Sequence, residues 1–286
     1  MLGIVGYVVL MLLVSIVAGL VGSLVGIGGG IIVVPVLSLF FGLPVPYAIG
    51  ASIVSVIATS SGSASAYVRD RITNLRIGMF LEIATASGAV LGAIVSLYLF
   101  KSGLDWVVFT VFGIVLVMSG LDLMRKNRPV ALDVEAHGRS ALAERLKLKG
   151  EYHDAAIGRT IRYEAVRVHF GLLVMLCAGV ISGLLGIGSG ALKVLGMDTM
   201  MKLPFKVSTT TSNFMIGVTA AASTSIFYIG GYVNALVAAP VALGVVAGSY
   251  VGTKILVRSR PNSLRLVFVV VLLVLGLEMI QRGLFA

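Results

Sequence analysis

The chain has 286 residues, 58% hydrophobic and 12% charged, with 22 Lys and Arg against 12 Asp and Glu for a formal net charge of +10. Such a composition excludes a soluble globular domain, and its hydrophobicity lies in long apolar runs, which argues for membrane helices and against a β-barrel. The positive charge falls in links between apolar runs and therefore reads as a topology signal, so no nucleic-acid partner is expected.

The first run lacks a basic leading region, and its counterpart in a second copy lies mid-chain, so it is expected to be a retained helix. AGLVGSLVGIGGG at 18–30 returns as AGVISGLLGIGSG at 178–190. The 160-residue offset between Gly19 and Gly179 also relates Gly26 to Gly186, Gly28 to Gly188, Gly30 to Gly190, Pro44 to Pro204 and Ser52 to Ser212, without a gap. It continues through Asn74 and Asn234, Gly88 and Gly248, and Gly92 and Gly252. The chain is therefore a duplication, each copy opening on a Gly-rich break inside an apolar run.

With Gly, Pro and charge as punctuation, the first copy divides into helices at about 4–26, 30–41, 46–66, 77–100 and 105–124. The second repeats them at about 168–186, 190–203, 206–229, 234–257 and 264–282. The second piece of each copy reaches only about half of a hydrocarbon core roughly 30 Å thick. The predicted fold class is an all-α integral membrane protein of two inverted repeats of five segments, each with a Gly-rich break and a half-length helix. The domains are 1–124, the first membrane repeat; 125–166, a cytoplasmic linker; and 167–286, the second, inverted repeat.

Charge sets the orientation. Arg69, Arg71 and Arg76 mark the link between the third and fourth segments of copy one as cytoplasmic, whereas the preceding link GLPVP is uncharged. In copy two the signs reverse: GGYVN is uncharged, while Lys202 and Lys206, then Arg258, Arg260 and Arg265, mark the neighbouring links. An odd number of crossings per copy requires this inversion, which is the architecture of many secondary transporters. Both termini are then expected to be external. The linker mixes both charges and is read as a solvated connection without a compact domain; its amphipathic RSALAERLKLK stretch suits a membrane surface.

Backbone N–H groups at the start of a half-length helix have no intrahelical partner and carry the positive end of the helix dipole, which attracts anions. Gly28, Gly29 and Gly30, with Gly188, Ser189 and Gly190, are therefore candidate substrate-binding residues. Any one glycine is better explained by close helix packing, but two related breaks favour a site. Ser52 and Ser212 occupy matching positions and are expected to face it, together with Thr211 and Asn213 from the polar run STTTSNF. Lys193 follows the second break and has Val33 as its counterpart. It is the deepest cation without an evident partner, hence the candidate counter-charge, with snorkelling along its helix as the alternative.

The other ionisable residues have ordinary explanations. Glu82, Asp122 and Lys254 lie near helix ends and can snorkel, while Glu278 with Arg282 and Asp198 with Lys202 are spaced as helical i,i+4 pairs. Asn74 and Asn234 each precede a helix and read as N-caps. His137, His153 and His169 lie in or beside the linker, and Cys177 is the only cysteine, so no catalytic residue, metal site, cofactor or intrachain disulfide is expected. The chain is not read as an enzyme.

The two copies, with GIGGGIIVVP, GIGSGALKV and TTTSNFMIGVTAAAS, resemble the TauE/SafE sulfite exporter family, also called the toluene sulfonate uptake permeases. The resemblance spans nearly all of the chain outside the linker. It implies a carrier in the plasma (inner) membrane of a bacterium or archaeon, for small sulfur-containing anions such as sulfite, sulfonates or sulfoacetate. The second copy departs from the family pattern at Ser189, which replaces the middle glycine, and at Leu195, where copy one has Pro35.

The expected function is an exporter working by alternating access at a midplane site. Expelling a monovalent anion gains about 2.3 kcal/mol per 100 mV when the cytoplasm is negative, and the membrane interior offers no acidic chain for a proton relay, a water-bridged relay through Glu82 or Asp198 being the alternative. The alternatives are a carrier of another organic or inorganic anion, or a membrane docking subunit for a soluble enzyme of sulfur metabolism. The expected partners are the anionic solute and the bilayer, and large apolar faces are compatible with a homodimer.

Overall fold

The computed structural model describes residues 4–25, 29–69, 72–125, 141–154, 159–258 and 261–285. Five helices fill the first half: α1 (Ile4–Val25), α2 (Gly30–Leu39), α3 (Val45–Arg69), α4 (Leu75–Lys101) and α5 (Asp105–Arg125). After α6 (Ala141–Arg145), β1 (Lys149–Asp154) and β2 (Arg159–Glu164), five more fill the second: α7 (Val168–Leu185), α8 (Gly190–Leu195), α9 (Phe205–Ile229), α10 (Ala235–Arg258) and α11 (Pro261–Phe285). Among the described residues four helices, α1, α4, α7 and α9, are long and apolar enough to cross a bilayer. The protein is a multi-pass, mainly helical membrane protein.

Helix ends follow the expected punctuation. Asn74 caps α4, its side-chain oxygen accepting from the Ile77 N–H at 3.1 Å, and Asn234 does the same for the Leu236 N–H at 2.9 Å. Outward-facing Leu91, Ile94, Val95 and Tyr98 on α4 are exposed apolar residues suited to lipid.

Packing follows the 160-residue offset. α1 lies on α10 as α7 lies on α4, α3 meets α9, and α5 meets α11. In the α1–α10 and α4–α7 pairs backbone approaches backbone. A Cβ on Gly88 would overlap the Leu176 carbonyl oxygen, and one on Gly248, its counterpart, would overlap that of Ile16, the counterpart of Leu176. Lipid tails are as apolar as the side chains, so helix association relies on such close approach.

The linker departs from the expectation of a solvated connection. β1 and β2 form an antiparallel hairpin in which Tyr152 faces Ile161 and Gly150 faces Tyr163. Alternation puts Leu148, Tyr152, Tyr163 and Ala165 on its inner face, where they and Ala143 of α6 bury against Ile77, Leu81, Met197, Met201, Leu203 and Val207. The hairpin and α6 thus cover the starts of α4 and α9 and residues 197–203 between α8 and α9. Asn74 ties the hairpin to α4 by donating to the Tyr163 hydroxyl at 3.0 Å. Burial pushes the Tyr163 phenol up, a rise the Asn74 hydrogen bond partly offsets.

Replacing Gly88 or Gly183 by Leu should force α4 and α7 apart and remove most of the monodisperse protein seen by size-exclusion chromatography in detergent. Ser87→Leu, on the exposed face one residue from Gly88, should leave that fraction within about twofold, as lipid-facing substitutions in apolar helices do.

Candidate functional site

Each break turns the chain from a long helix into a short one, by different means. α2 starts directly after Gly29, whose backbone is itself helical with φ −65°. The second break needs three left-handed residues in four: Gly186 at φ 66°, Gly188 at 76° and Ser189 at 48°. Glycine adopts this region freely, whereas a side chain there costs roughly 1–2 kcal/mol, so Ser189 is strained. Gly28 lies outside the described residues.

The half-length helices differ as well. α2 runs as an α-helix to Leu39 with Pro35 inside it, while α8 changes after Leu195 into a π-helical segment, Gly196–Met200. Arg282 of α11 donates to the Ser38 and Leu39 carbonyls at 3.4 and 3.3 Å, satisfying the C-terminal end of α2. The pairing of Arg282 with Glu278 expected from spacing gives way to this contact, because the carbonyls of α2 have no intrahelical partner.

The two breaks meet at Ser52. Its hydroxyl lies 2.9 Å from the Gly186 carbonyl oxygen and 3.2 Å from that of Gly30, so one side chain of α3 touches both copies. Ser212 repeats half of this, donating to the Gly190 carbonyl at 3.1 Å. Both hydroxyls are fully buried and hold backbone that lipid could not satisfy. Gly29, Gly30 and Gly190 are buried beside them. Gly188 packs against Ile216 and Val56.

Ser189 differs from these. Only 4% of it is exposed, yet its hydroxyl has no hydrogen-bond partner. It lines a narrow crevice with Ile187, Gly190, Ala191 and Leu192 of its own copy and Ile31, Val115 and Ser119 of the other. A strained residue with an unpaired buried hydroxyl in a crevice between the halves is the arrangement expected of a ligand contact.

Lys193 is fully buried, and the structure supplies the partner that sequence reasoning missed. Its ammonium donates to the Thr219 hydroxyl, which donates to Glu82 Oε1 at 2.6 Å, while Thr85 donates to Glu82 Oε2 at 2.9 Å. Glu82 therefore does not snorkel: it is 6% exposed and turned toward α9 and α8. Its distance from the end of α4 suggested the surface, but the helix face decides, and this face is covered by α9. Removing one member of a buried pair leaves the other uncompensated.

Thr211 and Asn213 sit elsewhere on α9. Thr211 Oγ1 accepts from the Asn74 backbone N–H at 3.2 Å and fixes the start of α4. The Asn213 carbonyl accepts from Ser60, whose oxygen in turn accepts from the Gly217 N–H at 3.0 Å. Ser60 of α3 thus inserts beside one rung of the α9 ladder, a local bending point. The described structure brings together Gly29, Gly30, Ser52, Gly188, Ser189 and Gly190, with Lys193 one turn beyond and Ser212 at the second break. Thr211 serves the linker side of α9.

Lys193→Met should lower stability by about 3–5 kcal/mol, because Glu82 then lies buried without its counter-charge. Adding Glu82→Gln should recover much of the loss in thermal melting of the purified protein in detergent. A double variant no more stable than Lys193→Met would show that the two charges are not coupled.

A family model described as Sulfite exporter TauE/SafE matches residues 11–279. The chain is 30% identical over 285 residues to the probable membrane transporter protein YunE of Bacillus subtilis, covering 97% of this chain and 99% of that relative. It is 26% identical to the probable membrane transporter proteins YdhB of the same organism, over 86% of this chain and 89% of the relative, and MJ0441 of Methanocaldococcus jannaschii, over 95% and 94%. No solved structure matches the chain. With the family model covering nearly the full length, the chain belongs to the TauE/SafE sulfite exporter family.

Proposed function

We propose that this protein is a secondary carrier of small sulfur-containing anions such as sulfite, sulfonates or sulfoacetate, moved through a site between two inverted repeats. The observation that carries the reading is the junction of the two breaks at Ser52, beside the unpaired Ser189 hydroxyl and the buried Lys193. The family points to the substrate class.

At such a junction Gly28, Gly29, Gly30, Gly188 and Gly190 let backbone N–H groups approach the anion, and Ser189 adds a hydroxyl donor. Lys193 supplies the opposite charge. Ser52 and Ser212 hold the surrounding backbone, while the neighbouring Asn213 accepts from Ser60 through its main-chain carbonyl and Thr211 accepts from the Asn74 N–H. Alternating access then follows from one bundle rocking against the other, in the plasma membrane, with the linker on the cytoplasmic side and both termini outside. Carriers need no cofactor for this, and none enters the reading.

Direction depends on what travels with the anion. An anion moving alone leaves the cell with a gain of about 2.3 kcal/mol per 100 mV. That export argument assumed an interior without an acidic chain for a proton relay, and the burial of Glu82 weakens the assumption.

Counterflow of radiolabelled sulfite, taurine, sulfoacetate and a carboxylate control in proteoliposomes tests the reading. Exchange of at least one sulfur anion should exceed the control by about tenfold, a discrimination of about 1.4 kcal/mol. Ser189→Leu, filling the crevice, should lower the exchange rate by a similar factor. A folded wild-type protein that exchanges none of the sulfur anions would refute the proposal.

A further inference from the structure

Resting on the carrier reading, we propose that Glu82 is the resident counter-ion of Lys193 and that the protein is an anion–proton cotransporter. A proton on the Glu82 carboxylate and an anion at the Lys193 ammonium bind as a neutral set.

Three observations carry this. First, the charges are joined through one hydroxyl: Lys193 donates to Thr219 Oγ1 and Thr219 donates to Glu82, so an ammonium, a hydroxyl and a carboxylate form a continuous path. Second, all three are buried, with Lys193 and Thr219 at 0% exposure. Ionisable groups at such depth in a membrane protein are retained for a task and need their charge balanced. Third, the 160-residue offset maps Lys193, Thr219 and Glu82 onto Val33, Thr59 and Ala242. The threonine is kept in both copies, but Thr59 has Ala242 in place of the carboxylate and turns its hydroxyl onto the Ser55 carbonyl four residues back. The first copy supplies the carboxylate and the second the ammonium, and the equivalent arrangement of Val33, Thr59 and Ala242 carries neither charge, so the pair exists once, between the copies.

The groups around Glu82 allow few other proton sites. From α8 it meets Lys193, from α9 Thr219, and from its own helix Thr85. The titratable residues of α7, His169 and Cys177, are exposed. Arg76 and Lys101 of α4 and Lys206 of α9 are exposed, Asp105 lies at the start of α5, and half-buried Asp198 belongs to the π-helical segment after α8. Among the described residues Lys193 is thus the charged group that acts on Glu82.

The charge balance is explicit. With Glu82 ionised, Lys193 is already neutralised and an anion meets a site of no net charge. A proton converts the carboxylate to a carboxylic acid, leaves Lys193 with net charge +1, and an anion restores neutrality. Because the coupling is reciprocal, the anion raises proton affinity by the factor by which the proton raises anion affinity. Proton and anion crossing together carry no charge, so the membrane potential drops out and the pH difference sets the direction.

The test uses full-length protein in proteoliposomes with radiolabelled methanesulfonate, whose sulfonate stays ionised across the working range, and the potential clamped at zero. Wild type should accumulate it by about tenfold for each unit of inward pH difference, with one proton entering per anion by an entrapped pH dye. Binding of methanesulfonate to wild type should weaken by up to about tenfold per pH unit above the Glu82 transition, and Glu82→Gln should abolish that pH dependence. Counterflow without gradients is the companion measurement. Counterflow with no proton-driven accumulation, or a Glu82→Gln profile that keeps its slope, overturns the cotransport. Absence of counterflow of both methanesulfonate and sulfite overturns the carrier reading beneath it. Should Glu82→Gln fail to fold, the proton-to-anion ratio of the wild type decides alone.

Discussion

In an apolar medium every backbone N–H and C=O must find a partner inside the protein, and this constraint governs the structure around both helix breaks. A chain that interrupts a helix at membrane depth exposes several such groups at once. The response is local and specific. Ser52 and Ser212 turn hydroxyls onto the Gly30, Gly186 and Gly190 carbonyls, Arg282 covers the far end of α2, and α3 and α9 lie against the short helices. The polar run on α9 follows from the same demand. Most of its hydroxyls bond carbonyls, as Thr210 does with Lys206, so hydrophilic side chains inside the protein are largely scaffolding.

Satisfaction of the backbone makes the exceptions informative. Ser189 is buried, strained and without a partner, in a crevice to which both halves contribute. Lys193 and Glu82 are charges in a place where charge is costly, made tolerable by a threonine between them. Neither feature is required by the fold, since the first copy forms its short helix with glycine and valine at the equivalent positions.

The helices were legible because Gly, Pro and charge bound apolar runs of characteristic length; the observed ends lie within about three residues of the sequence estimates except for α8, expected to reach about 203 and ending at Leu195 where the π-helical segment begins. Asn74 and Asn234 were legible as caps for the same local reason. Three features were not. Glu82 was judged by its distance from a helix end, and nothing in one sequence says which face of α4 another helix will cover. The hairpin was missed because each strand is six residues long with charged residues on its outer face, which reads as a polar linker. The π-helical segment at Gly196 leaves no pattern of its own; the absence of a proline at Leu195 was its one visible correlate.

The two copies share a scaffold but not a chemistry. Glycines at equivalent positions build the α1–α10 and α4–α7 contacts, so each half braces the other in the same way. Ser189, Lys193 and the π-helical segment belong to the second copy alone, and Glu82, which completes their charge balance, comes from the first. A duplicated scaffold offers two similar arrangements that can interchange, but two identical charged sites at its centre would hold two anions against each other's repulsion. Confining the ammonium to one copy and its carboxylate to the other gives a single charged site whose members sit on different halves. Any motion of one half against the other must then lengthen or remake the Lys193–Thr219–Glu82 path. In the proposed cotransport, movement and protonation are coupled by that geometry, because separating the two charges inside the membrane is costly unless a proton or an anion takes the place of the lost partner.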